Sequence, residues 1–116
     1  MNNYISEQTK QFKDKIIIVT GSTQGSGAET AKLLASRGAK GITICGRNEE
    51  KGNKVKNEIE NLGSECIYVK ADLENLNECR KIVSETDKNF KTVDSFINVA
   101  AFTERGTILS TTEENY

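Results

Sequence analysis

Apolar residues along this chain come in short runs set between polar stretches, and the runs alternate between two periods. Ile16-Ile17-Ile18-Val19 is an unbroken β-branched run between Asp14 and Gly21, the pattern of a strand buried on both faces. That strand is expected over Lys15–Thr20. Ala28, Ala31, Leu34 and Ala35 then fall at helical spacing, which predicts a helix over Gly25–Arg37 that stops at Gly38. Gly41–Cys45 reads as a second strand. Asn48 is placed to cap a helix whose first turn holds Glu49 and Glu50. Val55, Ile59 and Leu62 form its apolar stripe, and Gly63 ends it. Glu65–Lys70 is a third strand. Asp72 sits where an N-cap belongs, ahead of a helix that carries Leu73, Leu76 and Val83 and ends near Lys88. Val93–Val99 is a fourth strand, and beyond Ala101 the chain turns polar and irregular.

The order β-α-β-α-β-α-β with short connections predicts an α/β fold: a Rossmann-like three-layer α/β/α arrangement around a parallel sheet. Right-handed crossovers give the strand order 3-2-1-4, truncated after the fourth strand. Residues 1–12 read as a polar lead-in to a single domain over 13–116.

Charge narrows the partners. With 16 basic against 17 acidic side chains, nothing argues for nucleic acid or an acidic membrane surface. Lys51, Lys54 and Lys56 are interleaved with Asn and Glu and read as a solvated helix face. The longest aliphatic run, Ile16–Val19, is far shorter than the roughly 20 residues that span a bilayer. The first residues have no basic and then apolar region of the kind that directs secretion, so the expectation is a cytoplasmic protein. Cys45, Cys66 and Cys79 match no zinc spacing and there is no histidine, so no metal site is expected. The thiols read as small core residues in a reducing compartment.

The chemistry lies in Thr20-Gly21-Ser22-Thr23-Gln24-Gly25-Ser26-Gly27, where a buried strand breaks into glycines and then becomes a helix. Such a turn lets backbone approach a diphosphate, with the N–H groups and dipole of the helix start facing its charge. Gly21, Gly25 and Gly27 would shape the loop, and Ser22, Thr23, Gln24 and Ser26 would supply N–H or side-chain contacts. No Gly-Lys-Ser/Thr follows, which excludes a Walker-type loop. Arg47 comes just after the second strand, where NAD-selective sheets place a carboxylate for the ribose hydroxyls. An arginine there suits the extra 2′-phosphate of NADP, so NADP is expected over NAD. The competing reading is a solvated Arg47 paired with Glu49 or Glu50.

These residues resemble the short-chain dehydrogenase/reductase family from about Lys13 to Tyr116. Thr20-Gly21-x-x-x-Gly25-x-Gly27 is similar to its TGxxxGxG loop, Asp72-Leu73 to its adenine-contact pair, and Asn98-Val99-Ala100-Ala101 to its NNAG motif. Three departures stand out: Ser26 where Ile or Leu is usual, Val99 for the second Asn, and Ala101 for Gly. Many NADP-using relatives also carry a second basic residue in the loop, where this chain has Gln24. The resemblance implies hydride transfer between a nicotinamide and a carbonyl or alcohol. It assigns Asp72 and Leu73 to the adenine, and Asn98 and Ala100 to the ribose and nicotinamide side. Helix capping by Asp72 and strand-end bonding by Asn98 stay open as alternatives.

The family's catalytic Ser, its YxxxK pair and a proton-relaying Asn lie beyond the fourth strand. None of Tyr4, Tyr68 and Tyr116 has a lysine four residues on, so no catalytic residue is assigned in this chain. The chain is therefore expected to be the cofactor-binding half of a longer enzyme with a small-molecule carbonyl or alcohol substrate, and whether that parent is a homo-oligomer stays open. By itself it is expected to be inactive. The alternatives are a non-catalytic NADP(H)-binding sensor or regulatory module, and a decayed gene product.

Overall fold

The computed structural model describes residues 11–21 and 25–99. Their elements run β1 (Ile16–Thr20), α1 (Gly25–Ser36), β2 (Gly41–Gly46), α2 (Glu49–Asn61), β3 (Glu65–Lys70), α3 (Leu76–Phe90) and β4 (Ser95–Asn98). The four strands form one parallel sheet in the order β3-β2-β1-β4. The alternation of strand and helix thus produces the predicted half-Rossmann topology.

Strand periodicity explains why helices cover both faces. Ile17, Val19, Ile42, Ile44 and Cys66 point to one side and pack with Ala28, Ala31, Leu34 and Ala35 of α1 and Val55 and Ile59 of α2. Ile18, Cys45 and Val69 point to the other, with Ala71 and with Ile82 of α3. Every residue of β1 is buried, as its unbroken apolar run requires. On the α3 side the core admits one polar pair. The Thr86 hydroxyl donates to the Ile82 carbonyl at 2.8 Å and lies 2.7 Å from the Thr43 hydroxyl, so both buried groups are satisfied. Phe12 packs against the first core and its N–H donates to the Arg37 carbonyl, which ties the approach to β1 onto the end of α1.

Helix boundaries agree with the sequence for α1 and α2 and shift for α3. Asn48 caps α2, its Oδ1 accepting from the Lys51 N–H at 3.0 Å. Leu62 falls at the C-cap and is half exposed, so the stripe of α2 ends at Ile59. The cap of α3 is Asn75, not Asp72: Asn75 Oδ1 accepts from the N–H groups of Asn77 and Glu78. Ile82 and Thr86 are buried, while Leu73, Leu76 and Val83, the apolar residues expected on this helix, are 36%, 65% and 44% exposed.

β4 is shorter than expected, and both of its ends are fastened to β1. At the start, the Ile16 N–H donates to Asp94 Oδ2 and the Asp94 N–H donates to the Ile16 carbonyl, each at 2.8 Å. At the far end Asn98 pairs in register with Thr20. Among the described residues β4 forms one edge of the sheet, with Phe96 53% exposed.

Candidate functional site

All four strands are parallel, so their carboxyl ends lie along one edge of the sheet. The strand order reverses between β1 and β4, the point at which open parallel sheets form a ligand crevice. Gly21 follows β1, Arg47 follows β2, Asp72 and Leu73 follow β3, and Asn98 ends β4. The topology therefore brings together residues up to 77 positions apart in sequence, as between Gly21 and Asn98. Ser22, Thr23, Gln24 and Ala100 lie outside the described residues.

The turn from β1 into α1 needs its glycines. Gly21 has φ 63° and Gly25 φ 61°, the left-handed region in which a side chain is strained. A Cβ on Gly25 would meet no heavy atom within 4 Å, so the constraint there is backbone conformation and not crowding. Gly27, two residues further on, is buried. Gly25 and Ser26 are exposed at the first turn of α1, where backbone N–H groups have no partner inside the helix. An open, left-handed approach to a helix start that carries no acidic side chain in its first turn suits an anionic group.

At the crevice, the buried Thr20 hydroxyl donates to Asn98 Oδ1 at 2.7 Å. This bond fixes the Asn98 amide and turns its NH2 group away from Thr20. Sequence alone places Thr20 at the end of the first strand and the start of the loop, without a partner; its hydroxyl on a strand otherwise made of aliphatic residues is the available signal.

The ends of β2 and β3 border an open depression of about 390 Å³, lined by Arg47, Lys70, Ala71, Asp72, Glu78 and Lys81. Arg47 is exposed, and among the described residues no carboxylate forms an ion pair with it, so the expected alternative pairing with Glu49 or Glu50 is absent there. Lys81 Nζ donates to the Lys70 carbonyl at 3.2 Å, which adds a third cation to the rim. Asp72 is held locally: Oδ1 accepts from the Glu74 N–H at 2.9 Å, and its own N–H donates to the Glu78 carboxylate. Lys70, Glu78 and Lys81 were not singled out from the sequence, because their meeting depends on β3 and α3 converging at this edge.

In β2, within reach of the Gly21 backbone, Cys45 is fully buried. Burial pushes its thiol up to about 11, against a smaller opposing effect from the Gly21 backbone hydrogen bond. Burial likewise pushes the Cys66 thiol up to about 12. Such thiols are packing groups and not nucleophiles. Among the described residues no group of Cys, Asp and Glu is placed to hold a metal ion, and no helix is long and apolar enough to cross a membrane.

Comparison with known proteins converges on one family. The family model described as short chain dehydrogenase matches residues 15–116. The chain is 32% identical over 106 residues to the uncharacterized oxidoreductase YxnA of Bacillus subtilis, an alignment covering 91% of this chain and 30% of that protein. It is 32% identical over 108 residues to a probable tetrahydroxynaphthalene reductase of Zymoseptoria tritici, covering 93% of this chain and 40% of that protein. Among solved structures, an NADH-dependent reductase crystallised with NAD superposes with a TM-score of 0.70 at 28% identity, over 78% of this chain and 37% of the other. The chain thus spans between 30% and 40% of the length of these proteins.

Proposed function

The chain belongs to the short-chain dehydrogenase family, and from that premise we propose that it forms the cofactor-binding part of an NADP-dependent oxidoreductase acting on a small carbonyl or alcohol. The observation that carries the reading is the pair of left-handed glycines, Gly21 and Gly25, at the β1–α1 turn of a parallel sheet, beside the reversal of strand order. The relative crystallised with NAD supports a nicotinamide dinucleotide as the ligand class. When bound, that cofactor supplies or accepts a hydride at the nicotinamide C4.

The residues of this chain bind and orient. The N–H groups at the start of α1 face the diphosphate, and the glycines give the backbone the left-handed conformation that leads into that helix start. Asp72 Oδ2 accepts from the adenine amino group, and Leu73, partly exposed beside it, contacts the ring. Asn98, held by Thr20, offers its NH2 donors toward the nicotinamide side, with Ala100 next along the chain. Arg47 lies at the end of β2 and pairs with the 2′-phosphate, where a guanidinium forms two charge-assisted hydrogen bonds. No carboxylate at that strand end receives ribose hydroxyls as an NAD-selective site would, since Cys45 and Gly46 precede Arg47.

The test is cofactor preference in the full-length protein. Arg47→Asp is expected to lower kcat/KM for NADP by about tenfold or more, as for loss of a charged hydrogen-bond partner, and to leave NAD turnover equal or improved. Unchanged NADP affinity would remove Arg47 from the site.

A further inference from the structure

Tyr68 lies in the middle of β3, and its side chain packs on the α2 side of the sheet. Its hydroxyl donates to the Gly46 carbonyl at 2.7 Å. The same carbonyl accepts the Ala71 N–H at 3.0 Å, the last rung between β2 and β3. Both acceptor positions of one carbonyl are thereby taken. Gly46–Arg47 is the peptide from which the Arg47 side chain departs, so the plane that launches the guanidinium is fixed from two directions.

The ring reaches that carbonyl only because α2 makes room for it. Gly52 is a helix-interior glycine, and a Cβ there would meet the Tyr68 ring at 2.3 Å from Cε1, 2.4 Å from Cδ1 and 2.7 Å from Cζ. A glycine inside a helix costs about 1 kcal/mol relative to alanine. Nothing in the capping or termination of α2 calls for one there, since Asn48 caps it and Leu62 closes it. The ring position is what this glycine serves.

We propose that Tyr68 is a positioning residue for cofactor selectivity: by holding the Gly46 carbonyl it aims Arg47 at the 2′-phosphate, and Gly52 is the companion that admits its ring. This rests on the reading of Arg47 given above. Burial raises the phenol above its usual range, with Glu49 and then Cys45 adding to the shift, so the hydroxyl remains a donor at any neutral working pH.

The test compares two ligands that differ by one phosphate, adenosine 2′,5′-bisphosphate and adenosine 5′-monophosphate, by calorimetric titration of the full-length protein. Arg47→Ala is the reference and is expected to weaken the bisphosphate by about tenfold or more, with the monophosphate unchanged. Tyr68→Phe deletes only the hydroxyl and is expected to weaken the bisphosphate about fivefold, the effect of one neutral hydrogen bond, again with the monophosphate unchanged. Gly52→Ala displaces the ring and is expected to act in the same direction, despite its better helix propensity. A Tyr68→Phe protein with the wild-type ratio of affinities, alongside an Arg47→Ala protein whose ratio falls, overturns the inference and leaves the NADP reading standing. If Arg47→Ala itself leaves the ratio unchanged, the NADP reading fails and the role of Tyr68 fails with it.

Discussion

The Thr20 hydroxyl donates to the side-chain carbonyl of Asn98 at 2.7 Å, joining the carboxyl ends of β1 and β4 across the point where the strand order reverses. Thr20 is 2% exposed and Asn98 is exposed, so the bond runs from the core to the rim of the crevice. Its partner at the other end is the double contact between Ile16 and Asp94. A strand of four residues gains little from its own side chains when Phe96 is half exposed. These two fastenings set its register.

Thr20→Val removes the hydroxyl while keeping the shape of the side chain, and Asn98→Ala removes the acceptor. A double-mutant cycle on chemical unfolding is expected to give a coupling energy of about 1 kcal/mol, that of one partly buried hydrogen bond. A coupling near zero would mean that the two side chains do not share a bond in solution.

The cap of α3 gives a second prediction. Asn75→Ala is expected to lower stability by about 1 kcal/mol, because two backbone N–H groups lose their acceptor. Asp72→Ala loses one bond in an exposed turn and is expected to cost less than half of that, while weakening cofactor binding. Urea denaturation of both variants decides: if the Asp72 variant is the less stable of the two, the helix starts where the sequence first suggested.

That contrast shows what the sequence could and could not carry. β1 was legible because four consecutive β-branched residues admit no other reading, and α1 because small apolar residues recur at helical spacing up to Gly38. The start of α3 was not, because Asp72 and Asn75 are equally good caps and both precede apolar residues. The sheet decided between them by burying Ile82 and Thr86 and leaving Leu76 and Val83 outside. At the site, glycines and strand ends were legible as local patterns. Lys70 and Lys81 beside Arg47, and Tyr68 on the Gly46 carbonyl, were not, because each is a meeting of separate elements.

The buried thiols predict an alkaline weakness. Cys45 and Cys66 are pushed up to about 11 and about 12 from 9.0, so between pH 9 and 11 the unfolded chain releases thiol protons that the folded one retains. Their contribution is fully present below pH 9.0 and is lost as the pH rises through the folded values. Tm is therefore expected to fall from pH 9 to pH 11, and less steeply in Cys45→Ala than in the wild type. Under native conditions near neutral pH a thiol reagent should modify Cys79, which is partly exposed, well before the other two. Rapid labelling of Cys45 would contradict its burial in the core.

The measurement that bears most directly on the β1–α1 turn is calorimetric titration of NADP into the full-length wild-type protein and its Gly25→Ala variant. A Cβ on Gly25 meets open space, so the substitution perturbs only the left-handed conformation at φ 61°. Saturable binding by the wild type, weakened about tenfold in the variant by the strain of a left-handed alanine, is the expected result. No binding by the wild type, or equal binding by the two proteins, would contradict a diphosphate seated on this turn.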